Sequence, residues 1–251
     1  MRLELDGHGV AITGGSRGIG RAIALAFAAE GAQVAICARG EPALRKTAAE
    51  LRERGARVHA ERCDVARHQE LRAFLDGAHR ALGRLDVLVN NASGFGVSDD
   101  EAGWARGFEI DLMASVRASW QVVPWMEAQG GGVIIHISST SGLEAGSPPA
   151  YAAVKAALIS HAKTLAIQLA PRGIRVNCVA PGSIEFPGGI WERVRTENPA
   201  HYEAMRGTIP FGRLGRDDEV ADAVVYLASR RASWITGVTL AVDGGQHKGN
   251  L

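Results

Sequence analysis

Short, almost continuously apolar runs alternate along the chain with longer segments whose apolar positions recur every three to four residues. In the first half the short runs are GVAIT, QVAICA and RVHAERC, with helical patterns over residues 19–30 and 42–54 and a third ending near residue 82. The second half repeats the rhythm with LDVLVN, a long helical segment at 104–129, GVIIHIS, a helix holding YAAVK, then IRVNCVA, a helix at 217–228, and GVTLAV. This alternation predicts an α/β fold in which a doubly wound, mostly parallel sheet carries helices on both faces. Runs this apolar suit strands that are covered on both sides. No linker or compositional break divides the chain, and no internal repeat stands out, so a single domain over residues 1–251 is expected. Residues 181–216 read as one long irregular stretch, which is expected to cover a substrate site, since long segments inside compact domains usually have a function.

Composition narrows the class further. A hydrophobic content of 46% in 251 residues is enough for a full core. Lysine and arginine together number 28 against 27 acidic residues, a balance that argues against nucleic-acid binding and against a polybasic membrane anchor. No apolar run approaches the roughly 20 residues of a membrane span, and MRLELDGHGV lacks the apolar stretch of a signal peptide. A soluble, cytoplasmic protein is the expectation. Cys37, Cys63 and Cys178 form no C-x-x-C pair and sit in apolar segments, so they read as small core residues, with neither a disulfide framework nor a metal site implied.

The 31 glycines cluster beside the apolar runs, and the first cluster carries chemistry. In VAITGGSRGIGRAIALAFA, Gly14, Gly18 and Gly20 lie between a strand and a helix, with Ser16, Arg17 and Ile19 among them. Glycines in that context make a tight turn, let the backbone approach a pyrophosphate, and let helix and sheet pack closely. The helix N-terminus would hold the phosphates through free N–H groups and its dipole. About 20 residues further on, where an acidic residue would accept from the ribose hydroxyls of NAD, the chain has Ala38 and then Arg39. A cation there suits a 2′-phosphate, and Arg17 is close enough in sequence to serve the same group. NADP(H) is therefore favoured, with NAD(H) as the alternative.

A second motif lies in PPAYAAVKAALI, where Tyr151 and Lys155 stand one helical turn apart in an otherwise bland stretch. An ammonium beside a phenol favours the phenolate, so Tyr151 is expected to ionise below its reference of about 10, as an acid working near neutral pH requires. His136, alone in an apolar strand, reads as a structural residue, and His161 and Lys163 as surface or interface residues.

With both motifs in hand, the sequence resembles the short-chain dehydrogenase/reductase family over nearly its whole length. The markers recur in order: TGGSRGIG at 13–20, CDV at 63–65, NNAS at 90–93, ISS ending at Ser139, YAAVK at 151–155, APG at 180–182 and VDGG at 242–245. The resemblance implies a Rossmann fold with Asp64 and Val65 bracketing the adenine and Asn90 and Ala92 lining the cofactor cleft. It also assigns cofactor contacts to Pro181, Gly182 and Ile184, and to Tyr151 and Lys155. By the same resemblance Ser139 bonds the reacting oxygen, Tyr151 exchanges its proton, and Lys155 binds the nicotinamide ribose. The activity implied is hydride transfer between NADP(H) and a carbonyl or secondary alcohol. Self-association as a homotetramer or homodimer is implied too, with Ala152, Ala153, Ala156 and Ala157 allowing close packing of the Tyr151 helix.

Two positions depart from the family pattern. Asp111 stands where an asparagine usually supports a proton relay behind the lysine, and it is left out of the catalytic set. Phe186 stands where a threonine often contacts the nicotinamide amide. The substrate wall is expected from residues 93–98, from Glu144 and Ser147, and from Phe186, Trp191 and Met205, which suggests a small, largely apolar organic molecule. A dinucleotide-sensing protein with little turnover is the alternative these departures leave open, and an NAD-dependent diol or alcohol dehydrogenase is a separate one.

Overall fold

The computed structural model describes residues 3–249. Seven strands form one parallel sheet: β1 (Gly9–Thr13), β2 (Gln33–Ala38), β3 (Val58–Arg62), β4 (Val87–Asn90), β5 (Gly132–Ile137), β6 (Ile174–Pro181) and β9 (Thr239–Val242), in the order β3-β2-β1-β4-β5-β6-β9. The periodic segments are helices α1 (Gly18–Ala29), α2 (Glu41–Glu53), α3 (His68–Leu82), α4 (Glu101–Gly107), α5 (Ala114–Ala128), α6 (Pro149–Leu169) and α9 (Asp217–Ala228).

Two apolar layers bury the sheet. One joins α1 and α9 to the face carrying Val10, Ile12, Val34, Ile36, Val87 and Val89. The other joins α3, α5 and α6 to the opposite face through Leu88, Ile134 and Val176. Strand alternation sends successive side chains to opposite layers, so every central strand must be apolar at nearly every position. All five residues of β1 are buried for this reason.

The order of strands places a switch between β1 and β4. From β1 the chain winds outward to β2 and β3, then returns to start the other half at β4, so the connections diverge at the carboxyl ends and leave a crevice. The Thr13 hydroxyl accepts from the backbone N–H groups of Asn91 and Ala92, and the Asn91 amide donates to the carbonyls of Thr13 and Gly14. These bonds fasten the two strand ends at the crevice floor.

Two segments differ from the sequence expectation. The long helical segment at 104–129 begins earlier, at Glu101, and opens into a wider π turn over Phe108–Met113 before α5 resumes. Residues 181–216 are not irregular: they contain β7 (Ile184–Glu185), α7 (Ile190–Glu197), α8 (Pro199–Thr208) and β8 (Gly215–Arg216), with β7 and β8 paired as a small separate sheet. Their elements are too short, and their patterns too polar, to stand out by periodicity.

Candidate active site

A cleft of about 1290 Å³ runs across the carboxyl ends of the strands. It exceeds the roughly 300–1,000 Å³ of ordinary small-ligand pockets, so a dinucleotide and a second reactant can share it. At one end lie Gly14, Ser16, Arg17, Ile19 and Gly20 of the glycine turn, Arg39 after β2, and Asp64 and Val65 after β3. Ala92, Pro181, Gly182 and Ile184 form its middle, and Ser139, Tyr151 and Lys155 come together beside them.

The glycine turn fits a phosphate-bearing group. Gly14 has φ +69°, a conformation that other residues rarely adopt, and a Cβ on Gly20 would stand 2.3 Å from the Gly14 carbonyl oxygen. The first turn of α1 holds no acidic residue, and no side chain caps it, so its free N–H groups and dipole are available to an anion. Arg17 and Arg39 are exposed at this end, and neither forms an ion pair with a carboxylate among the described residues.

Two expected cofactor residues do not line the cleft. The Asn90 side chain points into the layer beneath it, its amide 3.1 Å from His136 Nδ1, and Asn91 and Ala92 form the wall instead. Strand alternation explains the correction: Asn90 shares the buried face of Leu88, and the wall starts only where β4 ends. Gly18 is screened by Phe186, whose ring atoms lie 2.6 Å from where a Cβ on Gly18 would be. The phenyl ring therefore packs on the glycine turn.

Ser139, Tyr151 and Lys155 are brought together by strand-to-helix ties. Ser138, at the end of β5, donates its hydroxyl hydrogen to the Lys155 carbonyl at 2.9 Å, and Lys155 Nζ donates back to the Ile137 carbonyl at 3.0 Å. A Cβ on Gly142 would stand 2.7 Å from the Lys155 carbonyl carbon, so the short turn after Ser139 presses on α6. Tyr151 lies on the same helix, with Lys155 Nζ 5.5 Å from its ring centre. Phe95 lies nearly parallel to the Tyr151 ring, 6.0 Å away, on the loop after β4.

Sequence spacing alone missed what holds the lysine. Asp111, in the π turn, places Oδ1 2.9 Å from Lys155 Nζ, with both side chains almost fully buried. Its Oδ2 accepts from the Gly94 N–H at 2.8 Å. Burial works against the Lys155 charge, but the Asp111 carboxylate, joined by Tyr151 when that is a phenolate, outweighs it and holds the ammonium above its usual range. The only signal in the sequence was an acidic residue in an unusual place.

Beneath this pair His136 and His161 approach with ring centres 5.3 Å apart. Burial, with smaller contributions from His161 and Lys155, pushes His136 down to about 3, so it is neutral at ordinary pH. Its structural reading is supported by the Asn90 contact. Other expectations fail. Glu144 is drawn to the Lys248 N–H and Ser147 to Ser141, and neither lines the cleft. Met205 faces Gln246 and Thr208 and does not line the cleft, whereas Phe186 and Trp191, expected beside it, do.

Such an assembly is a doubly wound α/β fold whose cleft at the carboxyl ends of the strands joins the glycine turn to Ser139, Tyr151 and Lys155. Residues 13–247 match the family model described as enoyl-(acyl carrier protein) reductase. Isoepoxydon dehydrogenase patN of Aspergillus clavatus is 38% identical over 256 residues, covering 99% of this chain and 98% of the relative. A solved 7α-hydroxysteroid dehydrogenase, complexed with NADH and 7-oxo glycochenodeoxycholic acid, superposes with a TM-score of 0.90 at 35% identity, covering 97% of this chain and 96% of the other. L-sorbose reductase from Gluconobacter frateurii, complexed with NADPH and L-sorbose, gives 0.91 at 34% identity, covering 99% and 100%. The chain belongs to the short-chain dehydrogenase/reductase family and is an NAD(P)-dependent oxidoreductase acting on CH–OH and C=O groups. Among the described residues no helix is long and apolar enough to cross a membrane.

The buried histidine gives a test of the layer beneath the site. Unfolded His136 binds a proton near 6.5, whereas the folded residue does so only near 3. Its contribution to stability is thus present above 6.5 and is lost as pH falls through that window. Denaturant unfolding at a series of pH values should show a shallower loss between pH 6.5 and 3 for His136→Asn than for the unaltered protein; equal slopes would refute the assignment.

Proposed function

We propose that the protein transfers hydride between NADP(H) and a carbonyl or secondary alcohol of a small, largely apolar organic substrate. The observation that carries this reading is the meeting of Ser139, Tyr151 and Lys155 in the same cleft as the phosphate-binding turn. The bound dinucleotide supplies the hydride chemistry. Ser139 and Tyr151 hydrogen-bond the substrate oxygen, and Tyr151 gives or takes the proton on it. Lys155, paired with Asp111 and donating to the Ile137 carbonyl, has a further donor for a ribose hydroxyl.

Preference for the 2′-phosphate rests on Arg17 and Arg39, which line the adenosine end without a carboxylate partner among the described residues. NAD(H) is the second reading, since a similar solved protein is complexed with NADH. Phe95, Val97, Ile110, Ile190 and Trp191 supply an apolar wall around the reacting groups, which supports an apolar substrate. Segment 181–216, carrying α7 across the cleft, is proposed to cover that substrate. Exposed Trp120, Ala153, Ala156 and Ile167 on α5 and α6 support self-association as a homodimer or homotetramer.

Three measurements test this reading. With a panel of ketones and alcohols, Tyr151→Phe should lower kcat by about 10²- to 10⁴-fold while leaving dinucleotide affinity within a few-fold; unchanged turnover would remove Tyr151 from the proton step. Arg39→Asp should reduce kcat/KM for NADPH at least about tenfold and leave NADH less affected, the loss of one charge-assisted phosphate contact being worth roughly 1.5–3 kcal/mol. Sedimentation should give the mass of two or four chains, and a monomer at every concentration would reject the assembly.

A further inference from the structure

The Asp111–Lys155 pair adds something to the reading above, on which this inference rests. Lys155 is the cation facing Tyr151, and its whole charge would act on the phenol if the ammonium stood alone. Here a carboxylate stands against it at 2.9 Å, in a site where both side chains are shut off from water. The contact is firmly built. Asp111 Oδ2 is fixed by the Gly94 N–H, its carbonyl accepts from the Ser115 hydroxyl at 2.9 Å, and Lys155 is fixed in turn by the Ile137 carbonyl. The π turn over Phe108–Met113 carries Asp111 at this place, and the bond to Gly94 ties it to the loop that lays Phe95 against Tyr151.

We propose that Asp111 is a positioning residue that neutralises the Lys155 ammonium as felt by Tyr151, keeping the phenol in its protonated, proton-donating form at neutral pH. Arg106 on α4 packs beside Gly94, and the other titratable groups around Lys155 add no charge. His136 on β5 is neutral because burial pushes it down to about 3, and burial also lowers His161 on α6. Cys178 on β6 stays a thiol, pushed up to about 12 by burial. The buried groups around Lys155 therefore carry a cation and an anion and no net charge. A unit charge roughly 8 Å away, at an effective dielectric constant of about 20, moves a titration by on the order of one pH unit.

The test compares the unaltered protein with Asp111→Asn and Asp111→Glu. In the ligand-free protein, near-ultraviolet phenolate absorbance, assigned to Tyr151 by subtracting the Tyr151→Phe titration, should appear about one pH unit lower in D111N and return toward the original position in D111E. This readout needs neither substrate nor turnover, so it separates failure of this inference from failure of the assigned activity. With NADPH and a ketone, the alkaline limb of kcat/KM should move down by a similar amount in D111N. A phenolate titration that stays in place or moves upward in D111N, with circular dichroism showing the variant folded, overturns the proposal. So does a D111E profile that follows D111N, because the retained charge would then be irrelevant.

Discussion

The crevice between β1 and β4 is the constraint on which the site depends. At a switch point the strands on either side lead into connections that leave in opposite directions, so backbone groups at both carboxyl ends lose the neighbours that a continuous sheet would provide. Buried backbone groups left unpaired are costly. Thr13 and Asn91 meet that demand by bonding across the gap, and the glycine turn then occupies the space above them. Because no side chain larger than hydrogen fits at Gly20, the backbone itself forms the surface of the cleft there.

Lys155 and Tyr151 are held by a different means. Lys155 is buried on a helix whose neighbours are mostly apolar, and an isolated ammonium there would lose its proton or draw in water. Asp111 and the Ile137 carbonyl prevent this. A buried pair of this kind is not strong evidence for stability, since desolvation offsets most of its attraction. Its value lies in orientation: it fixes the amine relative to Tyr151 and fixes the Gly94 loop relative to both. Neutral His136 and the thiol of Cys178 sit in the layer below without adding charge.

Much of this was legible in the sequence. The glycine turn, the Tyr151 and Lys155 spacing and the seven apolar runs are local patterns, and local patterns report local structure: period two for strands, three to four for helices, glycine where no side chain fits. Ordered along the chain they also named the family. Short elements escaped, as α7, α8 and the β7–β8 pair did, because two-residue strands and polar helices of two or three turns carry too little periodicity.

What only the tertiary structure decided are relations between distant residues. Whether Asn90 or Asn91 faces the cleft depends on where β4 ends, whether Phe186 meets the nicotinamide side or the glycine turn depends on the path after β6, and whether Asp111 touches Lys155 depends on a π turn meeting α6. Sequence determines which side chains are available and how each short segment is wound. Which of them come within a few ångströms, and hence whether an ammonium is free or paired, follows from packing two helical layers on one sheet, and Coulomb energy is set by that distance and that burial.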